Sequence, residues 1–247
     1  MRRSGYTLME LIVTVVIISV LSAAIYGIVL QCKDAAESVD VRAQLSGSAR
    51  FAAAEITRDL AETDRDTVTT DAGGAIPSFT DPINGETHQI LVFASARGDP
   101  SDPPEDGLHA NNDYVHLDAG YKPSWRSVIV YATYVTPEGL QQLRKYAVYG
   151  SAFSQEGIFP VSVTGVTAAA ISLQRGDGAG LVIPRNSGVS RANNVTFKEA
   201  GTTGADFTLS GSLIKVKLYL RKAELPTKGG TRTLDVTLTD SVSMRNK

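Results

Sequence analysis

Tyr6-Thr7-Leu8-Met9-Glu10, running straight into Leu11–Leu30 (LIVTVVIISVLSAAIYGIVL), is the stretch that decides the class of fold. The 20 residues from Leu11 to Leu30 carry no charge, and only Thr14, Ser19, Ser22, Tyr26 and Gly27 interrupt the aliphatic run. A helix of that length rises about 30 Å, the thickness of a bilayer's hydrocarbon layer. The reading is a transmembrane helix. Arg2 and Arg3 ahead of it place the N-terminus in the cytoplasm by the positive-inside tendency, and the rest of the chain on the far side.

A cleaved export signal fits this N-terminus less well. A secretory signal has an apolar core of roughly 7–15 residues and a small-residue cleavage site after it. This run is longer, and Ile25 to Leu30 offers no such site. A lipoprotein signal ending at Cys32 wants a small residue before the cysteine, where this chain has Gln31. A plain signal anchor on an unrelated periplasmic domain is the remaining rival, and Glu10 speaks against it. A carboxylate at membrane depth costs about 2.5–3.5 kcal/mol at a helix centre and marks a functional site by default. It calls for a positive partner. A cut after Gly5 creates one, a new α-amino group on Tyr6, able to neutralise Glu10 of its own or a neighbouring subunit.

Gly5-Tyr6-Thr7-Leu8-Met9-Glu10-Leu11 and the apolar run behind it resemble the prepilin peptidase site of type IV pilins and pseudopilins. The resemblance implies cleavage after Gly5, N-methylation of Tyr6 and an assembly role for Glu10. Tyr6 departs from the commoner phenylalanine. The mid-helix proline of many major pilins is missing, since the first proline is Pro77. Ser48-Ala49-Arg50-Phe51-Ala52-Ala53-Ala54-Glu55-Ile56-Thr57-Arg58-Asp59-Leu60 is similar to the end of the long helix in larger minor pilins and in the J-type pseudopilins of type II secretion. Both subfamilies fit.

Past Leu30 the chain turns polar but keeps a helical period. Leu45, Ala49, Ala52, Ile56 and Leu60 recur at spacings that form one apolar stripe. No proline precedes Pro77, and Gly47 is the one glycine between Gly27 and Gly73. One helix from Tyr6 to Ala61 would span about 80 Å; a break near Gly47 is the alternative. Arg50 and Arg58 read as solvated positions, with Glu62 four residues beyond Arg58 as its ion-pair partner. Four segments follow: a leader over 1–5, a transmembrane helix over 6–30, its amphipathic continuation over 31–62, and a β-rich head over 63–247.

Within the head, 64–82 reads as loop. Strands are expected over Ile90–Ala94, Ser127–Thr136, Tyr146–Tyr149, Ala169–Gln174 and Leu213–Arg221. In Ser127–Thr136, Val128, Val130, Ala132 and Tyr134 share one face. In Leu213–Arg221, Ile214, Val216, Leu218 and Leu220 face one way, and Lys215, Lys217, Tyr219 and Arg221 the other. Leu234, Val236 and Leu238 repeat the alternation after a turn at Pro226–Gly230, which predicts an antiparallel hairpin. The fold class is α+β, one long helix packed on an antiparallel head.

Composition narrows the function further. The 247 residues are 43% hydrophobic and 20% charged, with net charge −2, giving no electrostatic ground for a nucleic-acid partner. The single cysteine, Cys32, permits no internal disulfide or paired-cysteine zinc site. The acidic, proline-rich stretch Asp99–Gly107, with Asn111, Asn112 and Asp113, lacks ordered calcium-loop spacing and reads as a surface loop. His109 and His116 read as a loop and a strand residue, and Gly176–Gly180 as a β turn. No nucleophile elbow, Walker loop or HExxH helix is present.

The expectation is therefore a filament subunit and not an enzyme, with no cofactor. It would sit in the inner membrane by a single pass, with its head in the periplasm. Its partners would be other pilins or pseudopilins, the prepilin peptidase, the inner-membrane assembly platform and lipid. Ser22, Ala23, Ala24 and Gly27 would let helices approach closely.

Overall fold

The computed structural model describes residues 7–102, 114–150, 158–193, 195, 204–227 and 230–245. It opens with one uninterrupted helix, α1 (Leu8–Ala61), so Gly47 does not break it. A Cβ added at Gly47 would meet nothing within 4 Å; the residue lies on the helix's exposed side, where no packing argues for a bend. The chain divides into two compact units, residues 1–43 with 223–234, and residues 44–222 with 235–247.

In the first unit the helix keeps its apolar residues outside. From Leu11 to Val29 the large hydrophobic side chains are 48–65% exposed. Among the described residues α1 is the helix long and apolar enough to cross a membrane. Thr14 Oγ1 donates to the Glu10 carbonyl at 2.7 Å, and Ser19 Oγ to the Val15 carbonyl at 2.8 Å. These hydroxyls bond back into the helix, as a polar group in an apolar medium must.

In the second unit the predicted stripe is the buried face. Leu45, Ala49, Ala52, Ile56 and Leu60 are all at most 3% exposed. After a 3-10 turn at Arg65–Thr67 come β1 (Ser78–Thr80), β2 (Thr87–Ser95), β3 (Ser127–Val135), β4 (Gln141–Tyr149), β5 (Ser162–Val166), β6 (Ala170–Gln174), β7 (Gly180–Pro184), β8 (Val189–Asn193), β9 (Ala205–Ser210), β10 (Leu213–Thr227) and β11 (Gly230–Ser243). They form three sheets, ordered β1-β2-β3-β4-β8, β5-β6-β7 and β11-β10-β9. The 64–82 stretch is thus not all loop.

The five-stranded sheet is covered on both faces. Ile90, Val92, Val128, Val130 and Ala132 point into a core shared with Ile171, Leu173 and Ile183 of the small β5–β7 sheet. Residues of the opposite parity, Leu91, Phe93 and Tyr131, are equally buried, and Tyr131 reaches α1 through a 2.7 Å bond to Asp59. Val128, Val130, Ala132 and Tyr134 share one face of β3, as the sequence reading has it, and the opposite face is buried as well. Tyr134, expected with Val128, is only partly buried. A central strand between two layers loses its period-two signal.

β10 and β11 are neighbours, and so short a connection between neighbouring strands makes them antiparallel. The strands run into the predicted turn, β10 as far as Thr227 and β11 from Gly230. Ile214, Val216, Leu218 and Leu220 are buried as expected, but Tyr219 is also only 6% exposed.

Candidate processing and assembly site

The helix starts at a side-chain exchange between Thr7 and Glu10. Glu10 Oε2 accepts from the Thr7 backbone N–H at 2.9 Å and from Thr7 Oγ1 at 3.1 Å. The Glu10 N–H donates back to Thr7 Oγ1 at 3.3 Å. Such reciprocal bonding between an N-cap threonine and a glutamate three residues on satisfies two donors that a helix start leaves open. The carboxylate also sits where the helix dipole favours negative charge. Glu10 thus has a partner within its own chain. Sequence reasoning missed this cap, although its Thr-x-x-Glu spacing is a recognisable signal.

Gly5 and Tyr6 lie outside the described residues, as do Arg2 and Arg3. Ser22, Ala23 and Ala24 are exposed on α1, and Gly27 is partly so. A Cβ at Gly27 would meet nothing within 4 Å, so nothing inside this chain requires a glycine there. Cys32 is an exposed free thiol.

The head places its charges elsewhere than sequence spacing suggests. Glu62 does not pair with Arg58. Its carboxylate takes Arg97 Nε at 2.7 Å and Nη2 at 2.5 Å, while Arg58 turns to Asp59 at 3.3 Å. A two-pronged guanidinium–carboxylate contact is stronger than a surface i,i+4 pair. Deeper in, Lys145 of β4 bridges Glu55 at 3.1 Å and Asp59 at 2.5 Å, and Arg191 of β8 meets Glu55 at 2.9 Å. Burial, reinforced by the Asp59 carboxylate, pushes the Tyr131 phenol up, so it stays a hydrogen-bond donor.

A second buried group lies between strands. Arg185, 1% exposed, pairs with Asp81, which is fully buried. It also donates to the Thr133 carbonyl at 3.1 Å and the Thr167 carbonyl at 3.2 Å. His88 is fully buried, its Nε2 3.7 Å from Glu86. Burial lowers its pKa to about 4. Neither residue stands out in the sequence, because nothing local marks a buried arginine whose partner is 104 positions away.

Of the acidic stretch weighed for calcium, residues 103–113 lie outside the described residues, and His109 with them. Asp99 accepts from the Ser101 N–H and hydroxyl. His116 is 6% exposed and stacks on Tyr114 at 4.4 Å between ring centres. Among the described residues no group of three His, Cys, Asp or Glu side chains gathers to hold a metal. Gly176–Ala179 forms the turn between β6 and β7, closed by the Arg175 N–H donating to the Ala179 carbonyl at 2.9 Å.

A family model described as the prokaryotic N-terminal methylation motif matches residues 1–26. No curated protein and no solved structure matches the chain. The motif and the architecture agree: a methylation-type N-terminus opens a long apolar helix that leads into antiparallel sheets, the α+β arrangement of pilin-like proteins.

Proposed function

We propose that this chain is a minor pilin or pseudopilin, cut after Gly5, N-methylated on Tyr6, and built through α1 into a type IV pilus or a type II secretion pseudopilus near its tip. One observation carries the reading: the methylation motif over residues 1–26 leads directly into a helix whose large apolar side chains from Leu11 to Val29 lie outside. A helix of that kind is covered by lipid before assembly and by other subunits' helices after it. The prepilin peptidase and other pilins are the implied partners, with the inner-membrane platform supplying the work of assembly. The role is structural, and the head lies in the periplasm.

Glu10 holds the key position. Its carboxylate caps its own helix through Thr7 and remains exposed at the helix start. The free amine of a cleaved Tyr6 brings a positive charge to the same end, and the pairing sets axial register between subunits.

Intact mass and N-terminal sequencing of the protein from its native membrane test this. A chain starting at Tyr6, heavier by one methyl group, is expected. A chain still starting at Met1 beside an active peptidase would overturn the reading in favour of a signal-anchored periplasmic domain.

A further inference from the structure

Four side chains from three elements meet at one dry point between α1 and the five-stranded sheet. Glu55 and Asp59 lie four residues apart and so share a helix face. Tyr131 of β3 and Lys145 of β4 are direct partners across the antiparallel ladder, which puts both side chains on one face of the sheet. The side chains of Lys145, Glu55 and Asp59 are 13%, 10% and 3% exposed. Arg97 and Arg185, which also hold carboxylates in the head, carry guanidinium groups, and these do not give up a proton in proteins. The Lys145 ammonium can give one up, and the neutral amine is a nucleophile.

The two carboxylates meet the ammonium differently. Lys145 Nζ donates a hydrogen bond to Glu55 Oε1 at 3.1 Å. Its contact with Asp59 Oδ2 is shorter, 2.5 Å, but lacks hydrogen-bond angles. The nitrogen thus lies against the Asp59 carboxyl group while Glu55 holds one of its protons. Asp59 has donors on both oxygens: the Tyr131 hydroxyl on Oδ2 at 2.7 Å, and Arg58 Nη2 on Oδ1 at 3.3 Å. Glu55 is steadied from its other side by Arg191, whose Nε is 2.9 Å from Oε2.

We propose that Lys145 and Asp59 condense into an intramolecular amide, with Glu55 as proton carrier, so that β4 and the end of α1 become covalently joined. The structure shows the ion pair from which the bond forms. Out of water the ammonium passes one proton to Asp59 Oδ2, because a neutral amine and a neutral acid are far cheaper to bury than two charges. The nitrogen lone pair then adds to Cγ of Asp59. Negative charge gathers on Oδ1, where Arg58 faces it. Glu55 takes a second proton from the nitrogen and delivers it to Oδ2, which leaves as water beside the Tyr131 hydroxyl. The carbonyl re-forms and Glu55 is again a carboxylate. The sum is one ammonium and one carboxylate giving one amide and one water, with no oxidant or co-reactant. Two factors favour it. Holding the reactants in contact replaces an encounter in solution, and well-oriented pairs reach effective molarities of about 10⁵–10⁸ M. The amide also removes two opposite charges whose burial is costly. This join goes beyond the filament reading and does not depend on it.

The test is the intact mass of the full chain, purified in detergent and then denatured. It should be lighter than the sequence by one water molecule, after allowance for N-terminal processing. Tryptic digestion should release Asp59–Arg65 joined to Lys145–Arg175, and fragmentation should place the join between Asp59 and Lys145. Lys145→Arg keeps a cation but offers no amine, and should retain its full mass. Glu55→Gln should form the join about a hundredfold more slowly, followed by mass over time after synthesis, with circular dichroism reporting that the head is folded. The unaltered chain carries the test if either variant fails to fold. Full mass in the unaltered chain, a water lost equally from Lys145→Arg, a join mapped to Glu55, or an equal rate in Glu55→Gln would each overturn the proposal.

Discussion

The two ends of α1 share a helix and differ in where their apolar side chains find cover. Between Leu11 and Val29 they are distributed all round the helix and stay exposed. Between Leu45 and Leu60 they form one buried stripe, with Phe51, 59% exposed, outside it. A helix apolar all round needs an apolar surrounding, whereas a striped one needs one packed neighbour. The first stretch must take its cover from outside the chain; the second is tied to the sheets by both packing and charge.

The contrast breaks hardest at Lys145. Removing its ammonium as Lys145→Met leaves Glu55 and Asp59 buried with less compensation, and should cost about 3–5 kcal/mol in urea unfolding of the head. Leu60→Ala, on the buried stripe, should cost about 2–5 kcal/mol in the same measurement. The matching Leu21→Ala should move head stability by less than about 0.5 kcal/mol. Equal losses at Leu60 and Leu21 would abolish the distinction.

Acid sharpens the comparison from within the head. The His88 pKa is about 4 in the folded state against 6.5 for the free imidazole, chiefly because burial disfavours its charge. Between those values the unfolded chain binds the extra proton, so stability falls as pH drops from 6.5 towards 4, by about 3 kcal/mol from this residue. Glu86, whose pKa burial raises, acts with the opposite sign. Unfolding curves across this window should show a shallower pH dependence in His88→Gln than in the unaltered protein.

The smallest expected effect is at the other end. Thr7→Val removes the cap and should loosen the first helical turn by about 1 kcal/mol, read as faster amide exchange at Met9 and Glu10 in lipid. The head's unfolding midpoint should not move.

What the sequence reveals depends on how local the cause is. The stripe from Leu45 to Leu60 and the alternation of Ile214 to Leu220 are consequences of helical and strand periods, and both are legible. β3 is legible as a strand but not as a central one, because covering both faces erases the alternation that reveals a face. Glu62 can be given a partner from spacing alone, but Arg97, 35 residues away, offers two hydrogen bonds where Arg58 offers proximity. Arg185 is invisible for the same reason. At the N-terminus Gly5, Tyr6 and Glu10 are legible as a motif, while the Thr7–Glu10 cap emerges only as an exchange of bonds.

Glu55 and Asp59 stand one helical turn apart and both grip Lys145. A pull along the helix axis would load these two contacts together with the buried stripe. Slip would require both carboxylates to leave one ammonium in the same event. Joints loaded this way resist in shear rather than peeling open bond by bond.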